Sequence, residues 1–265
     1  MEWYIAYLLL GALVGFFAGL LGIGGGLLLV PVLSFLFDAQ HLAGSNNLSF
    51  ALGTAMAAIL CTAAASAHAH QQHGAVNAAL VQLMTPALLL GTLSGTLLAT
   101  QIAPRYITIF FALFVYFAAA QMLLGFKPPP NRQLPNRVRL SLVGLLIGAT
   151  SSLVSIGGGT LSVPYLLWHN VPLKHAIGTS AALGFPIALG GTIGYIVTGL
   201  SLANPPSGAL GFVYLPAFFL LAAGSLFTTA LGAKAAQHLP LRLLRSVFAL
   251  LLVLLASKML LKVLS

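Results

Sequence analysis

Long apolar runs follow one another through the whole chain, at roughly 3–21, 25–37, 47–67, 75–100, 105–124, 140–155, 159–169, 175–199, 209–233 and 241–263. Most are close to the ~20 residues that cross a hydrocarbon core as a helix. Charged residues are 5% of the 265 and hydrophobic ones 59%, with a mean hydropathy of +1.03. So few charges cannot cover the surface of a soluble domain of this length. The reading is an all-α integral membrane protein, and its longest polar stretch, Lys127 to Arg139, leaves no room for a separate domain outside the bilayer.

The segments fall into five, a linker rich in Pro, Asn and Arg (KPPPNRQLPNR), and five more. The two sets are related. Gly11 to Leu33 reads GALVGFFAGLLGIGGGLLLVPVL and Gly144 to Leu166 reads GLLIGATSSLVSIGGGTLSVPYL, alignable without a gap. Gly24-Gly25-Gly26 falls on Gly157-Gly158-Gly159, and Pro31 on Pro164. Later landmarks also match across short indels: Gly53-Thr54 with Gly178-Thr179, Pro86 with Pro216, Pro104 with Pro240. The organisation read from this is a first membrane repeat at 1–126, a polar cytoplasmic linker at 127–139 and a second repeat at 140–265. Internal duplication of this kind is the usual construction of secondary transporters.

Each glycine triplet interrupts an apolar run where a helix should continue, at a cost of about 1 kcal/mol per Gly relative to Ala. Trp3 to Phe37 would be about 52 Å as one helix at 1.5 Å per residue, too long for one span and short for two. If the broken pair enters and returns, each half crosses an odd number of times and the repeats are inverted. If it crosses once, they are parallel. Basic residues arbitrate, because they collect on the cytoplasmic side. With the linker inside, hairpins put Lys127, Arg132, Arg137, Arg139, Lys174, Lys234, Arg242 and Arg245 together, against Arg105, Lys258 and Lys262. The single-crossing alternative divides the same eleven residues six to five. Charge therefore favours glycine-broken hairpins, inverted repeats and both termini outside.

The net charge of +9 is spread over segment ends rather than gathered in a patch, so it sets topology and does not read as nucleic-acid binding. MEWYIAYLLL lacks the basic region and cleavage site of a signal peptide and reads as the first membrane segment. One cysteine, Cys61, sits in an apolar run and reads as a core residue. The acids are Glu2 and Asp38, both at segment ends, which argues against a carboxylate proton relay or sodium site at mid-depth. No set of nucleophile and base suggests an enzyme, and no cofactor is implied.

A helix that restarts inside a membrane leaves backbone N–H groups unpaired and a positive dipole end exposed. Unpaired groups are costly in hydrocarbon, and an oxyanion is their natural ligand where glycine lets the backbone close around it. The candidate substrate site is therefore the two triplets, with Ser155 and Thr160 adding hydroxyls in the second copy. Thr54, Thr179 and Ser180 are further candidate hydroxyl donors, the alternative being that they bond back to their own helix carbonyls. Gly11, Gly15, Gly91 and Gly95 recur at four-residue spacing and read as helix-packing positions. His68, His70 and His73 form a tract read as lying in a loop; a metal-ion permease or channel using them is the alternative function.

The repeated G-x-G-G-G…P signature, the Gly178-Thr179-Ser180 run with its counterpart Gly53-Thr54-Ala55, and the duplicated layout resemble the TauE/SafE sulfite-exporter family, also described as the 4-toluene sulfonate uptake permease family. The resemblance covers essentially the whole chain. It implies transport of a small sulfur-containing anion such as sulfite, sulfoacetate or a taurine-related compound, with direction left open. The paired glycine breaks add the expectation of a secondary transporter working by alternating access around them. The resemblance further implies the bacterial inner membrane, with the lipid bilayer and the anion as partners; a homodimer is a possible assembly, and the oligomeric state stays open. Ala55, where the second copy has Ser180, weakens that assignment in the first half.

Overall fold

The computed structural model describes residues 2–21, 25–124, 133–235 and 241–264, so Gly24 and the first part of the 127–139 linker lie outside the described residues. Among the described residues ten α-helices follow in order: α1 (Glu2–Leu21), α2 (Gly26–Ala39), α3 (Asn47–Gln72), α4 (Ala78–Gln101), α5 (Pro104–Leu124), α6 (Arg137–Val154), α7 (Gly159–Trp168), α8 (Leu173–Gly199), α9 (Leu215–Ala235) and α10 (Leu241–Leu264). Eight are long and apolar enough to cross a membrane; α2 and α7, which follow the glycine triplets, are the short ones. The protein is an all-α integral membrane protein.

Two boundaries differ from the sequence reading. The segment read as 209–233 becomes helical only at Leu215, and a two-residue strand pair, β1 (Ala209–Leu210) with β2 (Val213–Tyr214), precedes it. Aligned on Pro86 and Pro216, the counterpart of the start of α4 falls on Gly208. Gly208 and Gly211 take φ of 82° and 56°, which a right-handed helix cannot accommodate. The third segment, conversely, continues to Gln72, so His68 and His70 lie on α3 and His73 caps it, not in a loop.

Both broken pairs are hairpins. Tyr7, near the start of α1, packs edge-on against Phe37 near the end of α2, with ring centroids 6.1 Å apart, and its hydroxyl accepts from Gln40 Nε2 at 2.6 Å. The chain has returned to the face it left. In the second half, α6 runs parallel to α4, with Gly144 against Met84 and Gly148 against Leu88. The start of α8 meets the start of α4 where the Asn77 N–H donates to Thr179 Oγ1 at 2.9 Å. α7 leads into α8 within a few residues, so it too returns to the face where α6 began.

The equivalent helices α3 and α8 are antiparallel: Gly53 lies against Tyr195, Met56 against Gly191, and the residues just after α3 against Gly178. The repeats are therefore inverted. They also exchange partners, since α1 packs on α9 of the other repeat and α6 on α4. The four-residue glycine spacings serve these contacts, as read from the sequence. Gly11 and Gly15 meet the backbone of Leu221 and Ser225, and Gly91 and Gly95 that of Leu145 and Ala149. Small residues let helix backbones approach closely where no hydrophobic force acts between helices in lipid.

This topology places Arg137, Arg139, Lys174, Lys234 and Arg245 at one face, and Arg105, Lys258 and Lys262 at the other. The second group is anchored there: Lys262 Nζ pairs with Asp38 at the end of α2, and Lys258 lies 5.0 Å over the Phe35 ring. Asn47 Nδ2, at the start of α3, donates to the Asp38 carboxylate at 3.2 Å and to the Ser34 carbonyl at 3.0 Å.

Candidate functional site

Both helix breaks sit at mid-depth and meet. A Cβ on Gly25 would strike Val14, midway along α1. Ile59, the midpoint of α3, faces both breaks: a Cβ on Gly26 would lie 2.8 Å from its Cδ1, and one on Gly157 would lie 3.3 Å from its Cγ2. A Cβ on Gly26 would also overlap the Ser155 carbonyl oxygen, so the first break touches the second directly. On the far side, the Gly157 carbonyl oxygen would lie 2.6 Å from a Cβ on Gly184 in the middle of α8.

The two breaks are built differently. Gly25 caps α2 with φ −72° and ψ 2°, whereas Gly158 caps α7 with φ 79° and ψ −19°. Ser155 closes α6 in the left-handed region, φ 49° and ψ 58°, and the Ile156 N–H returns to the Ser151 carbonyl at 3.0 Å. Glycine usually fills that closing position. Here the Ser155 hydroxyl donates to the Leu52 carbonyl at 2.8 Å and ties the second break to α3.

At the start of α7 the Leu161 and Ser162 N–H groups both reach the Gly158 carbonyl, at 3.1 and 2.8 Å; at the start of α2 Leu28 and Leu29 do the same with Gly25, at 3.2 and 3.1 Å. The N–H groups just before them, on Gly159 and Thr160 and on Gly26 and Leu27, precede any carbonyl of their own helix within reach. Both helix starts are interior, and their dipoles present partial positive charge at the same depth.

Side chains separate the two. Ser151, Thr160, Ser162 and Ser180 are at least nine-tenths buried, and their hydroxyls have no hydrogen-bond partner. Thr160 is in the first turn of α7, and Ser162 Oγ would lie 3.5 Å from a Cβ on Gly158. Ser180 shares a face of α8 with Gly184, one turn on, which abuts Gly157, and with Ile187, which covers Gly158. The repeat alignment puts Ala18, Leu27, Leu29 and Ala55 opposite these four hydroxyls. The second break is polar and the first apolar. A small cavity adjoins the first, bordered by Gly25, Val14, Leu29, Ala58, Ile59 and Ser225.

Thr54 and Thr179 occupy different surroundings from the breaks. Thr54 Oγ1 accepts from the Tyr214 N–H at 3.0 Å, just before α9, as Thr179 Oγ1 accepts from Asn77 just before α4. Gly53 and Gly178 lie beside them against the carbonyls of Phe212 and Ala75. Each Gly-Thr pair thus clasps the start of the fourth helix of the opposite repeat. Thr54→Val would leave the buried Tyr214 N–H without its acceptor, a loss of about 1–3 kcal/mol, whereas Thr179→Val would free the N–H of Asn77, an exposed residue that water can reach. Thermal unfolding in detergent should show Thr54→Val destabilised more than Thr179→Val.

Ser151 and Ser162 were not singled out from the sequence, although a signal existed: both are hydroxyls standing opposite apolar residues in an otherwise matching repeat. The histidines do not converge. His68 pairs with Gln72 at 3.0 Å, His73 Nδ1 with the Ala69 carbonyl at 2.7 Å, and no three His, Cys, Asp or Glu side chains among the described residues are placed to hold a metal ion.

Inverted helical repeats whose broken helices meet at mid-depth define a membrane transporter of the inverted-repeat class. The family model for the sulfite exporter TauE/SafE matches residues 7–259, and the chain belongs to that family. It is 37% identical over 256 residues to a "probable membrane transporter protein" of Haemophilus influenzae, covering 96% of this chain and 97% of that one. A protein of the same description from Methanocaldococcus jannaschii is 26% identical over 246 residues, covering 90% and 88% of the two chains. One from Xylella fastidiosa is 31% identical over 194 residues, covering 71% and 70%. No solved structure matches the chain.

Proposed function

We propose that this transporter moves a small sulfur-containing oxyanion, sulfite or an organosulfonate, across the bacterial inner membrane by alternating access around the two breaks. The observation that carries the reading is the set of buried, unpartnered hydroxyls gathered about the start of α7. A tetrahedral or pyramidal oxyanion would take N–H groups from Gly159 and Thr160 and hydroxyl hydrogen bonds from Thr160, Ser162 and Ser180. Gly157 and Gly158 would let the backbone close on it, and Gly25 and Gly26 would wall the opposite side. Ser151 and Ser155 would support this cradle from the end of α6. No permanently charged ligand is needed, because helix ends and hydroxyls offset an anion's charge without trapping it. The face carrying Arg137, Arg139, Lys174 and Arg245 would be cytoplasmic, with both termini outside.

The test is sulfite and sulfonate flux into proteoliposomes, with chloride and acetate as controls and with and without a pH gradient. Selective flux of the sulfur anions is expected, unchanged when His68, His70 and His73 are all replaced by Asn. Loss of flux in that triple variant, or stabilisation by metal ions rather than sulfite, would favour the metal-permease alternative. No flux of any sulfur anion through folded protein would overturn the reading.

A further inference from the structure

The first-break cavity and the second break share one neighbouring side chain, beside the point where Gly26 meets the Ser155 carbonyl. Ile59 borders the cavity and is 2% exposed, and its two branches face different breaks, Cδ1 toward Gly26 and Cγ2 toward Gly157. The inverted repeat makes this position unequal. Aligned on the two Gly-Thr pairs, the α8 counterpart of Ile59 is Gly184, which has no side chain and lets the Gly157 carbonyl approach its backbone. The second break thus meets α8 through a backbone contact at the point where the first meets an aliphatic side chain from α3.

Building on the anion reading above, we propose that Ile59 is the gating residue, an apolar partition that an anion must displace to pass between the first-break cavity and the second-break cradle. A branched aliphatic chain suits this role. It offers no hydrogen bond, so an anion pressed against it must give up solvation, and its stiff χ1 keeps both branches in place. Rotation of α3 relative to the hairpins would move this one residue out of the path.

Two measurements test the proposal separately from the transport reading. In sulfite flux assays on the full chain, Ile59→Ala should raise the rate by about tenfold, the effect of a barrier lowered by about 1.4 kcal/mol, and Ile59→Phe should lower it. Ile59→Val, which removes only the Cδ1 branch toward Gly26, should fall between wild type and Ala, and it guards against misfolding of the larger changes. Independently, a Ser162→Cys probe in a Cys61→Ala background should react with a small anionic methanethiosulfonate about ten times faster when Ile59→Ala is added. Equal labelling rates with and without Ile59→Ala overturn the partition even if sulfite is transported. Faster labelling with no sulfite flux in the wild type keeps the partition and sinks the anion reading.

Discussion

Gly26→Ala should abolish sulfite flux while the protein still inserts in the membrane. The added methyl would fall on the Ser155 carbonyl oxygen, a backbone atom that cannot swing aside, and would also press on Ile59 Cδ1. Overpacking of this kind costs about 1–3 kcal/mol and forces backbone shifts. Here the shift would separate the two breaks, and displacing positioned groups by about 1 Å can cost a hundredfold in rate. Gly158→Ala makes an instructive contrast. Its clash is with Ile187 Cδ1, the flexible end of a side chain, although its φ of 79° adds a left-handed penalty of about 1–2 kcal/mol. Flux measured at equal reconstituted protein should rank wild type above Gly158→Ala and Gly158→Ala above Gly26→Ala. Wild-type rates in Gly26→Ala would refute the touching-breaks geometry as the working centre.

The second large effect separates function from stability. Removing the hydroxyls of Thr160, Ser162 and Ser180, by Thr160→Val, Ser162→Ala and Ser180→Ala, should leave the thermal unfolding temperature unchanged or higher. Each is buried without a partner, and such a group carries a desolvation cost of about 1–3 kcal/mol that its removal relieves. Sulfite binding should move the other way. A hydrogen bond to a charged group contributes about 1.5–3 kcal/mol, so each single variant should weaken the apparent affinity by about tenfold or more. A stable triple variant that still transports with wild-type affinity would remove these residues from the site. Thr54→Val and Thr179→Val should show the opposite pairing, lower stability with no specific loss of affinity, because their oxygens already accept from backbone N–H groups.

Most of the architecture is legible in the sequence. Sparse charge and repeated apolar runs dictate helices in a bilayer, because lipid offers the backbone no other partner. The ungapped match of the two glycine-broken stretches announced a duplication, and the charge distribution favoured hairpins over single crossings. The start of α9 was misjudged because apolar composition alone does not register the left-handed turns at Gly208 and Gly211. The histidine tract reads as a loop from its polarity near a segment end, whereas α3 continues through it to Gln72.

Tertiary structure decided which polar residues lie at the helix breaks. Thr54, Thr179 and Ser180 lie in matched tripeptides, yet the two threonines clasp helix starts from the opposite repeat while Ser180 faces the second break without a partner. Partners at separations of 160 and 102 residues cannot be read from local pattern. The same holds for Gly26 meeting Ser155 and for Ile59 standing between the breaks. The sequence by itself determined the membrane setting, the ten helical segments and their duplication, because these follow from hydrophobicity and glycine placement along the chain. Only the tertiary structure decided that the repeats exchange hairpins and that unpartnered hydroxyls gather at the second break while apolar residues stand at the first. Those properties depend on which surfaces an inverted pair brings into contact, and that contact is made by residues far apart in the chain.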